Sequence, residues 1–310
     1  MSRVFGTLVA ARARLYDQGI LPIYRLNYPV ISVGNLTTGG TGKTPLVIEL
    51  ARRFQELGYR PVILSRGYRR KSRGVLIVSR GQGPEVDWQQ SGDEPQLMAV
   101  RLPGVSVVVG GDRYQAGQRA EAENLGNLFI LDDGFQHRKL HRDVDIVTID
   151  PVEWAGEGRL LPEGPWREPR TSIGRAHVAC VQSRPDAPDI DLPIPKFEVD
   201  TIVEGLSYQG SIHPVDTLAG KDVTAFAGIA KPERFFKLLE SLGLNVTEGI
   251  SFRDHHRFSP DEISKLPGQT LITTEKDAIR LPGNGFYFLR ISANIQRFNE
   301  LHDIIRRIID

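Results

Sequence analysis

Between Pro29 and Gln182 short apolar runs alternate with stretches of helical periodicity. Pro29–Asn35, Val62–Ser65, Val75–Val78, Val105–Val109, Leu128–Leu131, Ile146–Ile149 and His177–Gln182 are β-rich and apolar almost throughout, the pattern of strands buried on both faces. Helices fit at about Gly42–Leu57, Asp93–Arg101 and Arg113–Asn124. The alternation predicts an α/β fold, a mainly parallel sheet with helices on both faces.

A break follows. Ser183–Pro195 is rich in Pro and Asp without periodicity and reads as a surface connection. Glu198–Tyr208 reads as an extended linker, and a second α/β run begins at Val223–Ala227. It continues with a helix after Pro232, strands at Leu271–Thr274 and Phe286–Ile291, and a closing helix at about Asn294–Ile309. The expected organisation is an N-terminal helical segment (1–28), a larger domain (29–197), a linker (198–220) and a smaller C-terminal α/β lobe (221–310).

Composition narrows the partners more than the fold. Lys and Arg (39) nearly balance Asp and Glu (38), so no general attraction to nucleic acid is expected. The single cysteine, Cys180, has no disulfide partner, and no Cys cluster offers a zinc site; both favour a reducing, cytoplasmic setting. No apolar stretch approaches the roughly 20 residues that a spanning helix needs. The run Val4–Ala11 ends at Arg12 and is short for a signal-peptide core, so the chain is expected to be its own mature form.

Thr37-Thr-Gly-Gly-Thr-Gly-Lys-Thr44 falls between a predicted strand and a predicted helix, the setting of a phosphate-binding P-loop. Backbone N–H groups of Thr37, Thr38, Gly39, Gly40, Thr41, Gly42, Lys43 and Thr44 are expected to wrap the phosphates of a nucleoside triphosphate, helped by the helix dipole. Lys43 reaches the β- and γ-phosphates in such a loop, and the Thr44 hydroxyl holds Mg²⁺. The usual first glycine is here Thr37.

The metal needs an acidic partner. Asp132 and Asp133 follow the apolar run Leu128–Leu131, at the carboxyl edge where ligands of parallel sheets collect. Asp150, after Ile146–Ile149, competes for the role, and any strand-end Asp also serves as a turn or cap residue. Other motifs are ambiguous alone. Asp93 and Glu94 open a helix, where the dipole suffices to explain acids. Ser65–Lys71 carries four cations that either grip phosphate or face solvent. His255 and His256 are adjacent, so they diverge and do not chelate one ion together on a helix.

Taken together these motifs resemble one family, the tetraacyldisaccharide 4′-kinases of the lipid A pathway. The resemblance rests on Ser32–Pro45, Ser65–Tyr68, Gly92–Pro95, Leu131–His137, Gly164–Pro169, Phe252–His256 and Thr273–Asp277, and covers nearly the whole chain. It implies a P-loop NTPase-like domain and a smaller α/β lobe joined by a two-stranded linker, with the site in the cleft. It implies transfer of the γ-phosphoryl group of ATP to the 4′-hydroxyl of an acylated glucosamine disaccharide 1-phosphate. By motif, Asp93 is expected as the base facing that hydroxyl, His255 as its partner, and Lys43 as the phosphate-binding cation. Thr44, Asp132, Asp133 and Glu168 are expected around Mg²⁺. Asn35, Arg66, Gln136, His137 and Arg167 are expected on the substrate side. The Thr273–Asp277 motif has no assigned role, nucleotide contact and turn being equally open. Adenine is preferred over guanine through the resemblance alone.

An acylated acceptor requires contact with a bilayer. At helical spacing Val4, Phe5, Leu8, Val9, Leu15 and Tyr16 share a broad apolar face, with Arg3 and Arg14 opposite and Arg12 within it. Such a helix either packs on its own sheet or lies at a membrane surface, where Arg12 can snorkel toward headgroups. The resemblance favours the surface, and with it a peripheral location on the cytoplasmic face of the bacterial inner membrane. No obligate protein partner is implied. Two other classes compete, a nucleotide-hydrolysing switch and a nucleotide-gated membrane scaffold. Thr274-Glu-Lys-Asp277 only approaches the Asn-Lys-x-Asp guanine signature.

Overall fold

The structure, a computed structural model, describes residues 2–185, 187–283 and 285–309, the Arg3 side chain excepted. Helix α1 (Ser2–Asp17) leads to strand β1 (Val30–Gly34), the P-loop and α2 (Lys43–Glu56). There follow β2 (Pro61–Ser65), β3 (Leu76–Arg80), α3 (Trp88–Ser91), α4 (Asp93–Arg101), β4 (Ser106–Val109) and α5 (Arg113–Ala122). Next come β5 (Leu128–Asp132), β6 (Val144–Ile149), α6 (Pro151–Ala155), β7 (Val178–Gln182), the long β8 (Lys196–Tyr208) and β9 (Ser211–His213). The remainder comprises β10 (Asp222–Ala227), α7 (Pro232–Ser241), β11 (Asn245–Ser251), α8 (Pro260–Ser264), β12 (Leu271–Thr274), α9 (Glu275–Ala278), β13 (Tyr287–Ile295) and α10 (Phe298–Ile309).

All these strands belong to one sheet, in the order β11-β10-β12-β13-β8-β7-β6-β1-β5-β2-β4-β3, with β9 pairing to β8 off this path. Most neighbours are parallel; β3–β4, β8–β9 and β8–β13 are antiparallel. β1 lies between β5 and β6, and every residue of these three strands is buried, as apolar runs covered on both faces require. Helix α2 buries Leu46, Val47, Leu50, Ala51 and Phe54 on one face of this sheet, an i, i+4 stripe. On the other face α5 buries Ala116 and Ala120 against Val62, Val108 and Phe129.

The connection between the halves is two-stranded. β8 and β13 pair antiparallel from Val199↔Ile295 to Ser207↔Phe288, so the second strand of the pair arrives from residues 287–295. Consequently the chain crosses back before α10. Leu301 and Ile305 join the core that contains Ile31, Phe54 and Ile146, and Phe54 meets the His302 ring edge-on at 5.9 Å. The closing helix thus covers the P-loop half. Its apolar face alone could not reveal which half supplies the other side.

Candidate active site

The carboxyl ends of the central strands open on a cavity of about 1560 Å³ bounded by α1, the P-loop, α4 and the C-terminal lobe. The P-loop is fixed from beneath. Asn35 Nδ2 donates to Thr41 Oγ1 (2.9 Å), which also meets Thr148 Oγ1 (2.8 Å), and Thr38 N–H donates to the Pro165 carbonyl (2.7 Å). Gly42 has φ +74, and a Cβ there would run into the Gln182 side chain, so this position requires glycine.

Two sequence expectations shift here. Asn35 is fully buried and supports the loop rather than facing the cavity. Thr37 is nearly buried, its hydroxyl donating to Glu153 (2.8 Å), and the cavity wall begins at Thr38. The sequence order of a motif does not say which of its members turn inward.

Because β5 neighbours β1, Asp132 and Asp133 emerge beside the P-loop. Lys43 Nζ lies 3.6 Å from Asp133 Oδ1, and Arg167 Nη1 donates to both Asp133 oxygens at 2.9 Å. Burial opposes ionisation of Asp133, but Lys43 and Arg167 outweigh it and hold its pKa below the ordinary value. Asp133 adopts φ +50, a left-handed conformation that Asp tolerates better than most residues. Asp132 accepts from Ser65 Oγ at 2.7 Å and is pushed up to about 7, by burial first and then by the charges of Glu94 and Asp133. Asp150 is spoken for. It caps α6 by accepting from Val152 N–H (3.1 Å) and Glu153 N–H (3.4 Å), and it faces Arg234 (2.8 Å) and Arg184 (3.3 Å). Its sequence rivalry with Asp132 and Asp133 ends in a capping role.

Among the described residues no three His, Cys, Asp or Glu side chains form a ready-made metal cage. Mg²⁺ does not need one, since it commonly takes one or two carboxylates with phosphate and water oxygens. Thr44, Asp132 and Asp133 offer hard oxygen donors, and the crowded negative charge that raises Asp132 is what a divalent cation relieves. Glu168 lines the same cavity. Its carboxylate is engaged by Arg175 (2.8 Å) and Gln136 Nε2 (3.1 Å), and Gln136 in turn meets Arg167, the partner of Asp133.

Asp93 and Glu94 begin α4, and Asp93 is 4% exposed. His255, on the loop after β11, presents Nδ1 2.7 Å from Asp93 Oδ2. Arg280 Nη1 stands 3.3 Å from the same oxygen, and Glu94 N–H donates to Oδ1 at 2.9 Å. Burial works to raise Asp93, yet the His255 hydrogen bond and the Lys276 and Arg280 cations beside it prevail and lower it to about 2. His255 has φ +58, fixed by its N–H donating to the Gly228 carbonyl (3.0 Å), and its ring meets Tyr68 edge-on at 5.2 Å. His255 lines the main cavity; Asp93 lines an adjoining cleft of about 240 Å³ that shares Tyr68, Asp254 and His255 with it. His256 turns away to Glu262 (3.0 Å) and stacks on Phe252, as adjacent histidines should diverge.

Arg66, Gln136, His137 and Arg167 all line the main cavity. His137 is lowered to about 4, by burial and then by Arg113. Arg113 itself was not legible as a site residue, because a cation opening a helix reads as solvent-facing. It is nonetheless 6% exposed, donates to the Gly111 carbonyl (3.0 Å) and keeps its Nε unpaired beside the cavity. Such buried, underused donors suit an anion.

Helix α1 walls the far side. Phe5, Val9, Arg12 and Ala13 face the cavity, whereas Val4 (65%), Leu8 (64%) and Leu15 (38%) face outward. Its C-terminal end is pinned: Tyr16 lies between the guanidinium groups of Arg12 (5.3 Å) and Arg138 (5.2 Å), and Arg138 pairs with Asp17 at 2.6 Å. Among the described residues no helix is long and apolar enough to cross a membrane.

Known proteins resemble this chain along most of its length. A tetraacyldisaccharide 4′-kinase from Aquifex aeolicus is 40% identical, over 99% of this chain and 96% of its own. One from Geobacter sulfurreducens is 38% identical, over 96% and 87%. The crystal structure of LpxK from Aquifex aeolicus in complex with ATP superposes with a TM-score of 0.87 at 39% identity, covering 100% of this chain and 97% of that one. The model of the tetraacyldisaccharide-1-P 4′-kinase family matches residues 1–310, and with a P-loop, strand-end carboxylates and an Asp–His pair around one cavity, the chain belongs to that family.

Proposed function

We propose that this chain transfers the γ-phosphoryl group of ATP to the 4′-hydroxyl of tetraacyldisaccharide 1-phosphate, a step of lipid A synthesis. The names of its relatives support this reading, as does the ATP complex of the Aquifex aeolicus protein. The observation that carries it is the Asp93–His255 pair, set at the edge of the cavity into which Lys43 reaches. A nucleotide-hydrolysing switch has no need of a second proton-accepting unit at that place.

Phosphoryl transfer asks chiefly for positioning and charge neutralisation. Lys43 and the loop N–H groups grip the phosphates. Thr44, Asp132 and Asp133 would hold Mg²⁺, which would supply charge neutralisation for the phosphates. Asp93 accepts the sugar proton, and His255 orients it. A pKa near 2 is compatible with that task, because a loose transition state leaves proton transfer late. Arg66, Arg113, Gln136, His137 and Arg167 contact the acceptor, and Glu168 aligns Gln136. Asn35 and Thr37 act by stiffening the loop. Because Asp93 and His255 come from opposite halves, closure of the two assembles the pair.

The outward side chains Val4, Leu8 and Leu15 enter the bilayer interface at the cytoplasmic face of the membrane, while Phe5 and Val9 guide acyl chains toward the cavity. On this reading the protein is peripheral. Locating the new phosphate by NMR after incubation with ATP, Mg²⁺ and detergent-dispersed acceptor tests the reading. A phosphate at any position other than the 4′-oxygen sinks it.

A further inference from the structure

The Thr273-Thr-Glu-Lys-Asp277 motif does more than turn the chain. Asp277 does the turning: it is fully buried, accepts from Gly228 N–H (3.1 Å) and Thr274 Oγ1 (2.6 Å), and pairs with Arg280. Lys276 instead leaves the turn and reaches the main cavity. Its ammonium lies 2.9 Å from Glu94 Oε1 and 3.4 Å from His255 Nε2. Burial disfavours the charge on Lys276, but Glu94, Asp93 and Asp254 outweigh it and raise its pKa, so it is an ammonium at neutral pH.

Proton counting follows from these contacts. Asp93 is ionised and can only accept, so His255 Nδ1 carries the hydrogen that links them. An ammonium has three donors and no acceptor, so His255 Nε2 must meet Lys276 with its lone pair. One group pulls the other way. Asp254 Oδ1 stands 3.8 Å from Nε2, has no hydrogen-bond partner, and would favour a proton there. Beside it stand the Tyr68 ring, edge-on at 5.2 Å, and Arg280, which faces Asp93.

We propose that Lys276 is a positioning residue that keeps His255 as a singly protonated, neutral imidazole with a bare Nε2, so that the proton released on transfer stays on Asp93. Glu94 anchors Lys276 for this purpose, which gives the second carboxylate of Gly92-Asp-Glu-Pro95 a role distinct from helix capping. Without the ammonium, Asp254 is unopposed. His255 then takes a second proton, and the resulting imidazolium holds the Asp93 lone pairs more tightly and weakens it as a base. The inference rests on the assignment of Asp93 as base, yet its first readout does not use activity.

The full-length protein is labelled with ¹⁵N-histidine, and the His255 signals are identified by their loss in His255→Gln. Wild type is expected to show a protonated Nδ1 and a bare Nε2 at neutral pH. Lys276→Met should show both nitrogens protonated, and Lys276→Arg, which retains a donor-only cation, should keep the wild-type pattern. A proton on Nε2 in wild type, or a bare Nε2 in Lys276→Met, overturns the proposal. If Lys276→Met does not fold, the wild-type spectrum still decides. In kinetics, Lys276→Met should lower kcat about tenfold or more while KM for ATP moves less than about twofold, a loss confined to the transition state. Full activity of Asp93→Asn alongside the expected nitrogen pattern would remove the base assignment and leave the control of His255 by Lys276 standing.

Discussion

His255 Nδ1 lies 2.7 Å from Asp93 Oδ2, although 162 residues separate them in the chain. Asp93 is delivered by the first turn of α4 in the P-loop half, His255 by a left-handed loop residue of the other half. Neither half holds the pair alone. A positive-φ histidine is uncommon, and its cost is borne where a side chain must be aimed.

Removing the carboxylate should therefore act on chemistry rather than on nucleotide binding. Asp93→Asn is expected to lower kcat by roughly a hundred- to ten-thousand-fold, the usual range for a general base, with KM for ATP little changed. Steady-state kinetics with both substrates checks this. Activity within threefold of wild type, to order of magnitude, would take Asp93 out of the role.

Asp132 predicts a pH-dependent metal site. An unfolded Asp titrates near 3.9, whereas Asp132 in the folded protein is pushed up to about 7. Between those values the folded state binds more protons than the unfolded one, so stability of the nucleotide-free protein falls as pH rises across the window. Mg²⁺ with ATP should require the ionised form and release up to about one proton near pH 7. Calorimetry in buffers of differing ionisation heat measures that release, and Asp132→Asn should abolish it.

His137 works in the opposite sense. Its pKa is lowered to about 4, against about 6.5 unfolded, so below pH 6.5 the unfolded chain takes up a proton that the folded one refuses. Stability supplied by the neutral ring is present above about pH 6.5 and is lost as pH falls toward 4. His137→Gln should flatten denaturation midpoints measured through this acid range. An unchanged slope would mean that the ring is not held neutral by burial and Arg113.

The outer face of α1 should matter to membranes and not to folding. Val4 and Leu8 are about two-thirds exposed, so Val4→Ser with Leu8→Ser should leave the melting temperature within about a degree or two, as surface changes usually do. Flotation with vesicles should fall at least several-fold. Undiminished flotation would assign membrane contact elsewhere.

Much of this architecture was legible in the chain, and the gaps have physical causes. Leu271–Thr274 and Asp93–Arg101 fall where the pattern puts them, because buried strands and amphipathic helices write their periods into the sequence. β11 (Asn245–Ser251) left no such mark: it is an edge strand with mostly exposed side chains, so nothing enforces alternation. The partner of α10 could not be read, since an apolar stripe says that a surface is covered but not by what. Likewise Asp93 and His255 carry no spacing signal that joins them; the family resemblance did that. Asn35, Thr37 and Glu168 stand in the motifs as expected, and their side chains bond to Thr41, Glu153 and Gln136.

The most direct test follows label from [γ-³²P]ATP into detergent-dispersed tetraacyldisaccharide 1-phosphate, with wild type, Lys43→Ala and Asp93→Asn side by side. A labelled lipid is expected with wild type, and a loss of at least about a hundredfold in the rate with either variant. Acceptor-independent release of labelled phosphate, with the lipid left unlabelled by a folded wild-type protein, would contradict it.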